Sequence, residues 1–191
     1  ILEQVLDEYR LHFANGFDKN GSEIFIDNDQ LPSYQSSFSE SVNVYKLHGG
    51  IGQYSFPHGS ESANGVRLDG KCTYFFTLGY YEKHGVSRKN PETHDIIQSF
   101  HSDTVPKFLT GTDKIKLIAQ DRMYEDLYKR FDDHTQQGSD LLVAGYSYGD
   151  RHINEKLKSG IFNTIVNVNP NTDFPYDDHA INLKAIHKIK V

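Results

Sequence analysis

The stretch LLVAGYSYGDRHINEKL, from Leu141 to Leu157, constrains the fold more than any other part of this chain. Its apolar run does not alternate with polar residues, which predicts a strand covered on both faces, as in a parallel sheet. The run ends in Gly145-Tyr146-Ser147, passes through Tyr148-Gly149-Asp150, and resumes with helical spacing. Asp150 suits the N-cap of that helix. A second strand, TIVNVNP, is stopped by Pro170. Upstream, Met123, Leu127 and Phe131 recur at helical spacing, with Tyr124 and Tyr128 widening the stripe. VPKFLTG before them reads as a short strand ending at Gly111. INLKAIHKIK alternates at its start like a further strand. Strand, helix, strand, helix, strand predicts an α/β fold with a Rossmann-like, doubly wound parallel sheet.

The first half is less regular. Ile1, Val5, Leu6 and Tyr9 fall at helical spacing, so a helix is expected over residues 1–13. Two Asn-Gly pairs then predict turns, and the serine-rich stretch 23–40 reads as a loop or short hairpin. SVNVYKLHGG predicts a strand over 42–47 that ends in His48-Gly49-Gly50. Residues 52–104 are rich in Gly, Ser, Tyr, Phe and His, and only CTYFFTL has strand character. That stretch is expected to be an irregular inserted lobe, with 105–191 forming the C-terminal part of the core. The chain opens at Ile1 in mid-pattern and closes without a polar tail, so it is expected to be part of a longer polypeptide.

In open parallel sheets, ligands bind beyond the carboxyl ends of the strands. Three such ends carry suggestive residues. Gly145 permits close backbone approach, and Ser147 offers a hydroxyl to a phosphate or ribose. The following helix points its N-terminal N–H groups at the same crevice and favours an anion there. Asp150 could cap that helix, reach a sugar hydroxyl, or both. His48 could serve as a general base or could be a packed residue. Asn169 could bond an adenosine ribose or begin a turn. GIGQYS, from Gly50 to Ser55, only half-matches a dinucleotide fingerprint, since its last glycine is missing and no helix pattern follows.

Composition narrows the classes. The formal net charge is -6 and the sequence pI is about 5.9, so the totals hold no basic nucleic-acid footprint. No apolar run is long enough to span a membrane, and no secretory signal opens the chain. The single cysteine, Cys72, cannot form an internal disulfide or a multi-cysteine zinc site, which favours a cytoplasmic setting. Asp132-Asp133-His134 and Asp177-Asp178-His179 lack further ligands at known spacing, so no metal is expected there. The aromatic cluster Tyr74, Phe75, Phe76, Tyr80 and Tyr81 is expected in the core rather than as a base-stacking platform.

Taken in order, VYKLHGGIG, PKFLTGTDK, DLLVAGYSYGDRHINEKL and IVNVNP resemble the SIR2-like family, the zinc-free relatives of sirtuins. The resemblance runs from about Val42 to Pro170 and is weak between Gly52 and Val105. It implies an NAD-binding Rossmann-like domain with His48 as catalytic base. It implies Gly145 and Ser147 at the nicotinamide-side ribose and phosphates, with the neighbouring Gly49 and Tyr146 also in the cofactor site. Asn169 maps near the adenosine ribose, and Asp150 matches the family's acidic position. Two departures matter. The paired-cysteine zinc motifs of sirtuin deacylases are missing. The family's opening strand, glycine-rich phosphate loop and catalytic asparagine would lie before Ile1.

The function this implies is NAD hydrolysis to nicotinamide and ADP-ribose, as in prokaryotic anti-phage systems that deplete NAD. The alternatives are an NAD-dependent protein deacylase and a module that binds NAD or ADP-ribose without cleaving it. NAD enters as substrate, no zinc is expected, and oligomerisation or neighbouring sensor domains are expected as partners.

Overall fold

The computed structural model describes residues 6–39, 42–62, 65–77, 85–99, 106–109, 114–144 and 146–184. The chain divides into two compact units, Ile1–Leu127 and Tyr128–Val191. The whole is mixed α/β, and most of its strand pairs are antiparallel.

The first unit begins with β1 (Phe13–Ala14), β2 (Gly16–Asp18), β3 (Ile24–Ile26), β4 (Asp29–Gln30), β5 (Ser33–Ser37) and β6 (Val42–Asn43). A long hairpin follows, β7 (Gly49–Ser62) and β8 (Gly65–Phe76), then β9 (Val86–Lys89), β10 (Ile96–Gln98) and β11 (Pro106–Phe108). Helices α1 (Lys114–Gln120) and α2 (Arg122–Thr135) close it, α2 running on into the second unit. One five-stranded sheet has the order β11-β7-β8-β5-β2, and a four-stranded sheet has the order β10-β9-β3-β4. All pairs in both are antiparallel. The core gathers Ile24, Tyr54, Phe56, Phe75 and Val86, with the rings of Tyr54 and Phe75 stacked across the hairpin at 5.4 Å. Phe75 and Phe76 are core residues, as expected, whereas Tyr74 is only half-buried. Tyr80 and Tyr81 lie outside the described residues.

This unit differs from the sequence expectation in four ways. The doubly wound parallel arrangement is not what it adopts. The stretch expected to be an irregular lobe carries the longest strands, whose register is held by the aromatic pairs and by a bulge between Pro57 and Gly59. Proline and glycine are tolerated in a strand at such a bulge. The strand expected over 42–47 stops at Asn43, and the chain turns at Leu47 and His48 before β7 begins. Near the start, residues 6–8 are helical, but Arg10 reverses the chain at φ +55° and Phe13 already lies in β1. The expected helix over 1–13 therefore ends early, and residues 1–5 lie outside the described set.

The second unit is closer to expectation. It holds β12 (Ser139–Ala144), α3 (Arg151–Ser159), β13 (Phe162–Val168) and β14 (Ile181–Leu183), in the strand order β12-β13-β14 with every pair parallel. Leu141, Val143 and Ile165 pack beneath α3 with Ile153, Leu157 and Phe174. The unbroken apolar run in β12 predicts burial on both faces, yet the strand alternates: Val143 is buried and Leu142 is 66% exposed. Register places Leu142 beside Val166 and Ile181, and Ala144 beside Val168 and Leu183, so one aliphatic face carries exposed Leu142, Ile181 and Leu183. Among the described residues no helix is long and apolar enough to cross a membrane.

Candidate functional site

In the second unit the carboxyl ends of β12 and β13 and the start of α3 converge. Tyr146 stands just past β12. Its hydroxyl accepts the N–H of Asp150 (3.2 Å) and lies 3.1 Å from the Asp150 carbonyl and 3.0 Å from Asn154 Oδ1, either of which takes its proton. The Tyr146 carbonyl accepts from Asn169 Nδ2 at 2.6 Å. Asn169 also accepts the N–H of Asn171 at 3.1 Å. So Asn169, 6% exposed, ties the end of β13 to the loop after β12. Ser147 and Gly149 sit at the exposed crest between them.

Asp150 takes the N-cap position with extended backbone angles, but its carboxylate makes no capping bond. Its carbonyl accepts from Ile153 (3.1 Å) and Asn154 (3.0 Å), and the Tyr146 hydroxyl organises the turn instead. The first N–H groups of a helix lack intrahelical partners and favour an anion. A cleft of about 280 Å³ runs from Gly149 past Asn154 to Tyr176, with Arg151, Glu155 and Lys158 at its rim. Burial raises the phenol of Tyr146 above its usual value. The phenol of Tyr148 is pushed up to about 12, by burial first and then by Tyr176 and Tyr146.

Beneath the crest lies a buried amide network that the sequence reading missed. Asn167 is fully buried and donates to the Thr172 carbonyl (2.8 Å) and to Asn182 Oδ1 (2.8 Å). It accepts the Tyr148 hydroxyl at 2.8 Å. Asn182 Oδ1 also accepts the N–H of Phe174 at 2.8 Å, and Asn154 Nδ2 donates to the Tyr148 carbonyl at 2.7 Å. The signal was present in TIVNVNP. Period-two spacing puts Asn167 and Asn169 on the same inward face as Ile165, and all three are buried. An amide there is costly unless it is bonded, so its place in a strand marks a polar network.

His48 and Gly49 belong to the first unit. His48 lies half-buried in the turn before β7, and its carbonyl accepts the N–H of Leu109 at 2.9 Å. Gly49 has φ +79° under the Lys107 carbonyl, so its absence of a side chain has a packing cause. The structure therefore gathers Tyr146, Ser147, Asp150 and Asn169 around one crevice of the second unit, and holds His48 and Gly49 in the first. Gly145 lies outside the described residues. The two acid-histidine runs have ordinary partners. Asp132 pairs with Lys156 (2.7 Å), Asp133 with Lys129 (2.8 Å), and Asp177 accepts the N–H of His179 (2.8 Å).

No family model, no curated protein and no solved structure matches this chain.

Proposed function

We propose that this protein hydrolyses NAD at the bond between nicotinamide and ribose, through a Rossmann-like core to which the second unit contributes. The observation that carries this reading is the crevice at the carboxyl ends of β12 and β13. An exposed serine, a helix N-terminus and two buried asparagines meet there on parallel strands, where a dinucleotide is received in such sheets. Ser147 and the residues at Gly145 and Tyr146 would take the ribose and phosphates nearest nicotinamide. Asn169 would face the adenosine ribose, and Asp150 a sugar hydroxyl. Gly49 would let the backbone beside His48 approach the ligand.

The reaction consumes one water and releases nicotinamide, ADP-ribose and a proton. Departure of neutral nicotinamide leaves an oxocarbenium-like ribose, which water attacks. His48 is the proposed base that takes the proton from that water or from a ribose hydroxyl, a contribution typically of ~10²–10⁴-fold. The single cysteine favours hydrolysis over lysine deacylation, since the resembling deacylases carry two cysteine pairs on zinc.

The test is nicotinamide release from NAD, with and without an acyl-lysine peptide, beside His48→Ala. Release without peptide that disappears in His48→Ala is the expected result. Release that requires the peptide would replace the hydrolase with a deacylase. Tight NAD binding without release, unchanged by His48→Ala, would leave a binding module. Neither binding nor release would end the NAD reading.

A further inference from the structure

Tyr148 holds φ +58° although it is neither glycine nor asparagine. A bulky residue in that region is strained and persists only where its surroundings over-determine it. Gly149, the next residue, could have taken such a turn without strain. Instead three parts of the second unit clamp the tyrosine. From α3, Asn154 donates to its carbonyl at 2.7 Å. From β13, Asn167 accepts its hydroxyl at 2.8 Å. Its ring stands edge-on to Phe174 (5.9 Å) and Tyr176 (6.2 Å) in the segment after β13, and to Tyr146 (4.9 Å). The Asn167 amide nitrogen is held by Thr172 and Asn182, so its carbonyl oxygen is fixed toward Tyr148.

We propose that Tyr148 is the positioning residue of the nucleotide crevice: its clamped left-handed turn sets the direction of Ser147 and of the amides that open α3. The proposal rests on the NAD reading above and adds a residue that the reading did not contain. The turn at Tyr148 lifts Ser147 to the exposed crest while the Tyr146 hydroxyl reaches back to Asp150. Without the clamp the crest samples other conformations, and binding carries the cost of ordering it again. The phenol stays protonated at neutral pH, so the clamp does not switch within the physiological range.

The experiment uses ADP-ribose as a probe that cannot be hydrolysed again at the same bond. Its Kd and stoichiometry are measured by calorimetry for the unsubstituted protein, Tyr148→Phe and Tyr148→Gly, together with KM and kcat for NAD and a melting curve. Tyr148→Phe is expected to raise Kd and KM about tenfold, with stoichiometry and kcat unchanged. Tyr148→Gly, which adopts the turn freely and keeps the Asn154 bond to its carbonyl but loses both the hydroxyl bond to Asn167 and the ring, is expected to raise them further. A purely structural tyrosine gives the opposite pattern: fewer binding-competent molecules and lower kcat, at unchanged Kd and KM. That pattern in Tyr148→Phe, or unchanged Kd in a folded Tyr148→Gly, overturns the proposal. If the unsubstituted protein takes up neither ADP-ribose nor NAD, the NAD reading itself fails, before any variant is compared, and this role falls with it.

Discussion

At Gly49 the backbone takes φ +79°, and a Cβ added there would stand 1.9 Å from the Lys107 carbonyl oxygen and 2.5 Å from the Tyr124 hydroxyl. Gly70 has the same φ of +79°, but a Cβ there meets nothing within 4 Å. The pair separates backbone strain from collision. Gly70→Ala is expected to cost about 1 kcal/mol, the strain alone. Gly49→Ala must also displace the backbone of β11, and is expected to cost about 4 kcal/mol or more, or to prevent folding. Urea unfolding of both variants decides it, and equal costs would contradict the packing account. The sequence reading picked out Gly49 only as the neighbour of His48, because its reason lies about sixty residues away on β11. Asn169, Tyr146 and Asp150 were legible because each sits beside a strand end or a helix start. Tyr148 and Asn154 were not, since which backbone group a side chain bonds depends on a turn that no local pattern specifies.

At the scale of elements, the second unit was legible and the hairpin was not. The strands and helix from β12 to β13 follow from an apolar run, a helical stripe and a proline stop. The hairpin hides because glycine, serine, histidine and proline, poor strand formers, occupy much of β7. Long-range partners compensate. Gln98 from β10 accepts the N–H of Gly59 at 3.1 Å and donates to the Pro57 carbonyl at 2.9 Å, bridging the bulge. Next to it, His58 lies 2.7 Å from the Thr73 hydroxyl across the hairpin. Burial first, then Arg88, holds the imidazole below its ordinary value of 6.5. Because the folded value is depressed, the associated stability is present above about pH 6.5 and is lost as the pH falls through the folded value. Acid should therefore weaken the first unit, and His58→Gln, which does not titrate, should flatten stability between pH 7 and 5. An equally steep decline in His58→Gln would remove His58 as the cause. The exposed face of the parallel sheet gives a second comparison. Val143→Ala is expected to cost about 1–3 kcal/mol, and Leu142→Ala, two-thirds exposed, less than about 0.5 kcal/mol, as read by urea midpoints.

Across the whole molecule, each unit contains phenols that folding keeps protonated. Tyr74 and Tyr124 in the first are raised by burial, helped for Tyr124 by the Asp121 carboxylate. Tyr146 and Tyr148 in the second are raised by burial too, Tyr148 to about 12. A phenol in the unfolded chain ionises near 10, so below that pH both states are protonated and nothing is lost. Above it the unfolded chain sheds protons that the folded chain retains, and stability falls as pH rises toward the folded value. Both units should thus weaken together between about pH 10 and 12, whereas the effect of His58 in acid belongs to the first. The chain has 12 tyrosines and no tryptophan, so ultraviolet absorbance follows tyrosinate without interference. Titration should show at least these four phenols ionising above the ordinary value near pH 10, together with loss of the circular dichroism of the fold. Tyr148→Phe removes one late phenol and should leave the first unit's alkaline transition where it was. If all 12 ionised near pH 10 with the fold intact, the burial assigned to these four hydroxyls, and with it the clamp on Tyr148, would be wrong.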